Sequence, residues 1–308
     1  MVNTKLNNKK FVFIGDLNSI NSEVIIKSFN IYNKYCKLLF VCSKKSIQIE
    51  LLRFKSKIKI NIIYDPVSFL GFQKNSINIF EIPDKSKFKY INLLNQLNVC
   101  NELCNLTGFD LITFPINKSV IKKHINFNGI TEYLGEINKT KTLMLMYGEN
   151  FSIIPVTTHI NPKTIHLHLS EKKITAFLNF LFKKLNKNKE LLHFKYIKYL
   201  CYNPHCGENG LLGNEDIKIK KILLKKFNKK IIGPIPADSA FNNYNKNTLF
   251  LSNYHDQALI PFKILNPKGV NLTIGLKYKR ISPAHGTASD IKYKGLANVS
   301  SFLRCTQI

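Results

Sequence analysis

Three histidines stand where α/β proteins gather ligands. His159 closes Thr157-Thr158-His159 directly after an apolar run, and His205 sits in Asn203-Pro204-His205-Cys206-Gly207-Glu208-Asn209-Gly210 after the run Tyr196–Tyr202. His255 lies in Tyr254-His255-Asp256-Gln257, after the apolar Leu249–Leu251. Ligands in such folds collect at the carboxyl ends of strands. Three imidazoles placed there can form an open divalent-metal site, with positions left for a substrate oxygen. A loop histidine bonded to backbone is the alternative for each one taken singly. Downstream come Lys263, then Gly269-Val270-Asn271-Leu272-Thr273, then Arg280. Lys and Arg converging with an Asn on a cleft would fit a phosphate monoester, the alternative being unrelated surface charges.

The remaining histidines read differently. His166 and His168 alternate within Ile165–Leu169, as on one face of a strand. His124 and His193 lie in polar, lysine-rich surroundings, while His285 in Ala284-His285-Gly286-Thr287-Ala288 reads as a helix entry near an active site. Seven cysteines include no Cys-x-x-Cys pair, so they read as small buried hydrophobes of a reducing compartment. No Gly-x-Gly-x-x-Gly loop follows a strand, and no Gly-x-Ser-x-Gly elbow is present.

The elements that must position these residues alternate between β-branched runs and helical periodicity, the pattern of an α/β fold. Strands are expected at Phe11–Ile14, Lys37–Cys42, Ile58–Tyr64, Ile77–Ile82, Phe109–Phe114, Thr142–Met146, Ser152–Thr157 and Tyr196–Tyr202. Helices are expected over Glu23–Tyr32 and Tyr90–Leu103. Two more follow Ser170 and Asn214 as N-caps, with stripes Ile174, Phe177, Leu178, Leu181, Leu185 and Ile219, Ile222, Leu223, Phe227. At 308 residues the chain exceeds what one core usually holds.

The charge is +27, from 46 Lys and Arg against 19 Asp and Glu. Yet the arginines are only Arg53, Arg280 and Arg304. Nucleic-acid readers lean on the arginine fork. Lys, Asn, Ile, Phe and Tyr all have A/T-rich codons, so mutational bias accounts for this balance without a nucleic-acid partner. Weak adhesion to polyanions is still expected. No apolar run reaches the length of a membrane span, and no secretion signal is read, so a cytoplasmic protein is expected.

Taken together, the ordered segments resemble the 4-hydroxythreonine-4-phosphate dehydrogenase family of pyridoxal phosphate biosynthesis. They are Thr157-Thr158-His159, Asn203–Gly210 with Leu212-Gly213, Gly233-Pro234-Ile235-Pro236-Ala237-Asp238, Tyr254-His255-Asp256-Gln257, Gly269–Thr273 with Gly275-Leu276, and His285-Gly286-Thr287-Ala288. The resemblance implies two α/β/α domains flanking a cleft, like isocitrate and isopropylmalate dehydrogenases. It divides the chain into 1–125 plus about 275–308, and 126–274. It implies a homodimer with active sites at the subunit interface. His159, His205 and His255 would bind a divalent metal (Zn, Mg or Co), with Asp238 or Asp256 orienting the ligands. Thr131, Lys263, Asn271 and Arg280 would contact the substrate.

The reaction implied is NAD- or NADP-dependent oxidation of 4-phosphooxy-L-threonine to 2-amino-3-oxo-4-phosphooxybutanoate. That product decarboxylates to 3-amino-2-oxopropyl phosphate. Residues that hold the cofactor are not assigned. Departures from the family's pattern are Ile130 where a histidine precedes the threonine, Phe114, Ala284, and the altered Leu17–Ser22 loop. With Ile130 in place of a polar partner, Ile130→His is expected to lower the KM, the alternative being that Ile130 packs against an apolar wall and a water fills the role. The alternatives are a degenerate member that binds without useful turnover and a basic polyanion-binding protein.

Overall fold

The computed structural model describes residues 8–188, 192–228 and 230–308. It divides into two compact units, one holding the chain up to Thr142 together with Val270–Ile308, the other Leu143–Gly269. The first contains strands β1 (Lys9–Phe13), β2 (Lys37–Cys42), β3 (Lys59–Ile62), β4 (Ser76–Glu81) and β5 (Asp110–Thr113). The second contains β6 (Leu143–Tyr147), β7 (Ser152–Pro155), β8 (Tyr196–Leu200), β9 (Ile232–Ile235) and β10 (Thr248–Ser252). The chain then returns to the first unit for β11 (Val270–Ile274) and β12 (Arg280–Pro283).

In the first unit the strand order is β3-β4-β2-β1-β5-β12-β11. All neighbours are parallel except the β11/β12 hairpin. Phe11, Val12 and Phe13 are all fully buried, as a central parallel strand covered on both faces requires. Phe11 and Phe13 share a core with Leu39, Val41, Leu93 and Leu97, the last two from helix Lys89–Thr107. That helix stops at Gly108, whose φ of 73° and N–H to the Cys104 carbonyl make a left-handed cap.

The second unit runs β6-β7-β10-β8-β9, parallel except for the β6/β7 pair. Helices Glu171–Lys187 and Glu215–Phe227 bury the two stripes read from sequence. Phe182 and Phe227 stack across them with ring centroids 5.8 Å apart. Neither Ser170 nor Asn214 makes a side-chain cap bond, although both stand at the N-cap position.

Three expectations need correction. His166 and His168 lie in a 3-10 helix, Pro162–His168, not a strand. Asn161 accepts from the Lys163 N–H and Pro162 presets the first turn, so capping chemistry overrides a five-residue alternation. Residues after His285 form turns and bends instead of a helix, and the His285 Nδ1 lies 2.9 Å from the Gly286 carbonyl oxygen. Lastly, Thr131 and Asn271 fall in the first unit, apart from the histidines with which the sequence boundaries grouped them. The reason is packing: Ile130 and Leu134 of helix Ile130–Ile137 belong to the first unit's core, and β11 pairs with β12 in one hairpin.

Candidate functional site

In the second unit, two amides, one of them fully buried, tie three strand ends together. Asn253, just past β10, is fully buried. Its carbonyl accepts from the Thr157 N–H at 3.2 Å and the Thr157 hydroxyl at 2.7 Å. Its Nδ2 donates to the Leu200 carbonyl at the end of β8 (2.9 Å), and its own N–H donates to Gln257 Oε1 (2.8 Å). Gln257 Nε2 in turn donates to the Cys201 carbonyl at 2.8 Å. The ends of β7, β10 and β8, which lead to His159, His255 and His205, are thereby fixed to one another.

This arrangement brings two of the three histidines together. The His159 and His255 ring centroids are 5.6 Å apart. Metal–nitrogen bonds of about 2.0–2.1 Å at a tetrahedral angle place two imidazole centroids roughly 5 Å apart, so the pair has the spacing of two ligands on one cation. His255 opens helix His255–Leu265, and its Nδ1 lies 2.6 Å from Asp256 Oδ1. A proton on Nδ1 donated to that carboxylate leaves the lone pair on Nε2, the tautomer a metal ligand needs.

His205 is placed separately. It starts a run of left-handed backbone, with φ of 47° at His205, 58° at Cys206, 79° at Gly207, 45° at Glu208 and 58° at Asn209. Buried Asp216 holds the entry to this turn, accepting from the N–H groups of Tyr202 (2.7 Å) and Asn203 (2.8 Å). His205 lines a cleft of about 350 Å³ with Tyr202, Asp238, Tyr254 and Gln257. Among the described residues, no three His, Cys, Asp or Glu side chains are grouped closely enough to hold a metal ion. Burial pushes the neighbouring Cys206 thiol up to about 12.

In the first unit, β-register creates a second cluster. Thr273 pairs with Arg280 and Asn271 with Ser282 across the β11/β12 hairpin, so these four side chains share one face. Arg280 is 3% exposed. Its Nε donates to Thr113 Oγ1 at 2.7 Å, and its Nη1 donates to Thr131 Oγ1 (3.0 Å) and Thr273 Oγ1 (3.1 Å). Burial pulls the guanidinium down to about 10, with Tyr278 and Glu132 opposing that fall. Asn271 Oδ1 is buried without a hydrogen-bond partner among the described residues. Lys263 belongs to the second unit, exposed on helix His255–Leu265.

Sequence reasoning missed Thr113 and Thr273, Asn253 and Asp216. Threonine is common and carries no spacing signal, and only strand register reveals the first two. Gln257 and Thr273 lie within Tyr254–Gln257 and Gly269–Thr273, yet the bridge from Gln257 to Cys201 and the bond from Arg280 to Thr273 have no sequence signature. Ile130, expected to front the substrate, is 8% exposed and packs in the first unit's core with Phe127, Leu134 and Tyr278.

Comparison with known proteins follows the same lines. The 4-hydroxythreonine-4-phosphate dehydrogenase of Hydrogenobaculum sp. (strain Y04AAS1) is 43% identical over 201 residues, covering 62% of this chain and 61% of that protein. This alignment therefore spans less than two thirds of that relative. The enzyme of the same name from Bacteroides thetaiotaomicron is 33% identical over 308 residues, 94% of this chain and 84% of that one. The crystal structure of 4-hydroxythreonine-4-phosphate dehydrogenase from Klebsiella pneumoniae superposes with a TM-score of 0.80 at 26% identity, covering 98% of each chain. The family model for pyridoxal phosphate biosynthetic protein PdxA matches residues 20–308, and the chain belongs to that family.

Proposed function

We propose that this chain is a metal- and nicotinamide-dependent dehydrogenase that oxidises 4-phosphooxy-L-threonine to 2-amino-3-oxo-4-phosphooxybutanoate. The secondary alcohol gives a hydride to NAD or NADP and a proton to solvent. The resulting β-keto acid loses CO2 and takes up a proton to become 3-amino-2-oxopropyl phosphate. The observation that carries this reading is the His159–His255 pair, ligand-spaced at the ends of adjoining elements and oriented by Asp256.

His159, His255 and His205 would hold a divalent cation, which supplies positive charge at the alcohol and the later ketone. Asp256 holds the His255 ring with its Nδ1 proton inward to the carboxylate. Asp238, beside His205 in the cleft, is the candidate to steady that ring. Arg280, Lys263, Asn271 and Thr131 bind the substrate's polar and anionic groups, orienting the reacting carbon through remote contacts. We further propose a cytoplasmic homodimer whose subunits complete each other's site.

The test is purified protein with 4-phosphooxy-L-threonine, NAD or NADP, and Zn, Mg or Co, followed at the reduced-nicotinamide absorbance. His159→Ala, His205→Ala and His255→Ala are each expected to lower bound metal by elemental analysis and to abolish turnover. Wild-type metal content in all three variants refutes the assignment. A second reading, a member that binds without turnover, is favoured by the apolar burial of Ile130. It expects metal and substrate binding with no absorbance change.

A further inference from the structure

A guanidinium buried this deeply normally has a carboxylate beside it. All three hydrogen bonds of Arg280 instead go to threonine hydroxyls. The difference matters for an anion site. A hydrogen-bonded carboxylate would fix the fork and also neutralise it, whereas a hydroxyl accepts the N–H and adds no negative charge, leaving Glu132 to act on Arg280 only through its charge. The bonds are also asymmetric. Nε and Nη1 are both held, while Nη2 makes none of the three. Two fixed donors define the plane of the group, and the remaining corner stays available to a ligand.

We propose that Thr113 and Thr273 are positioning residues for the substrate. Their hydroxyls lock the plane of Arg280 without discharging it, so that its Nη2 corner meets an anionic group of the ligand. The inference rests on Arg280 being a substrate contact, as proposed above. Strand placement supports it: Thr273 sits opposite Arg280 in the β11/β12 ladder, and Thr113 ends β5, the parallel neighbour of β12. Both are therefore carried on paired strands, and β-branching restricts each hydroxyl to few rotamers. The partnerless Asn271 Oδ1 lies on the same face of the hairpin as Thr273, as a polar atom awaiting a donor from a ligand would.

Thr113→Val and Thr273→Val keep the shape and delete the acceptor. Each is expected to raise the KM for 4-phosphooxy-L-threonine about five- to tenfold while kcat stays within about twofold, a loss of uniform binding. Thr113→Ser and Thr273→Ser restore the acceptor and are expected to bring the KM back to within about threefold of wild type. A residue that only packs would show no rescue by serine. Calorimetric titration with the same compound gives the comparison as a Kd independently of turnover. If a valine variant does not fold, Thr113→Ala or Thr273→Ala is judged by the same split.

Arg280→Met is measured alongside. Weaker binding in Arg280→Met with unchanged binding in both valine variants overturns this inference alone. Unchanged binding in Arg280→Met overturns the substrate-contact reading beneath it. A fall in kcat with KM unchanged in the valine variants also overturns the positioning role.

Discussion

Replacing Arg280 by methionine separates a binding role from a structural one, because the two give opposite patterns. The side chain keeps its unbranched stem while the charge is removed. Burial has drawn the guanidinium down to about 10. At about 1.4 kcal/mol per pH unit, holding it charged in this site costs roughly 3 kcal/mol. Methionine relieves that cost. Against it, three threonine hydroxyls lose a donor, at about 1 kcal/mol each. Thr131 and Thr273 Oγ1 are already 3.4 Å apart, so part of that loss is recovered by a bond between them. The terms nearly cancel. The thermal midpoint, followed by circular dichroism, is expected to move by no more than about 4 °C. Substrate binding has no such compensation. Losing a charge-assisted contact of roughly 1.5–3 kcal/mol lowers kcat/KM by a factor of about ten to a hundred and fifty. Were Arg280 a structural ion, its removal would instead cost stability and spare kinetics. A drop of the midpoint by more than about 10 °C with kcat/KM intact refutes the argument.

Ile130→His is expected to follow the apolar-packing alternative, since Ile130 lies in the first unit's core. An imidazole buried there costs about 1–3 kcal/mol, read as a lower melting midpoint with no fall in KM. A lower KM at unchanged stability would restore the original view. Gly207→Ala should weaken metal binding without unfolding the protein, because a Cβ at φ 79° would lie 2.7 Å from the Gly213 carbonyl oxygen. Unchanged metal affinity by competition with a chromophoric chelator counts against a link between this turn and His205. The thiols should be slow. Six cysteines are buried, and the half-buried Cys206 is raised to about 12. At pH 8 native protein should release at most one equivalent of thiol to an aromatic disulfide reagent, with a rate rising about tenfold per pH unit. Two or more fast equivalents contradict it.

The strands were legible where burial on both faces leaves a dense apolar run. Lys37–Cys42 is identical in sequence expectation and structure, and Ser152–Thr157 overshoots β7 by two residues. β11 and β12 are shorter on apolar residues: Val270–Ile274 carries Asn271 and Thr273 between its apolar positions, and Arg280–Pro283 holds one aliphatic residue, Ile281. The alternating His166 and His168 misled for the converse reason: period two over five residues is too short to separate a strand from a 3-10 turn. The histidines were legible through position, directly beyond predicted strands. Their supports were not. Asn253 and Gln257 make their bonds across 53 and 56 residues, and Arg280 reaches Thr113 across 167. No local pattern encodes contacts of that range.

The left-handed turn at His205–Asn209 has a consequence for how the protein folds. Four of its five residues carry a Cβ in a conformation that costs an L-residue about 1 kcal/mol or more, so the turn has no local propensity to form. What holds its entry lies outside the turn: the Asp216 carboxylate on the following helix, and, from farther along the chain, the amides of Asn253 and Gln257 bonded to Leu200 and Cys201. The two amides reach their partners only after β10 has paired with β8. The turn should therefore be unformed in the folding transition state, with φ-values near zero. Substitutions within it would leave the folding rate unchanged and hasten unfolding. The third histidine arrives last.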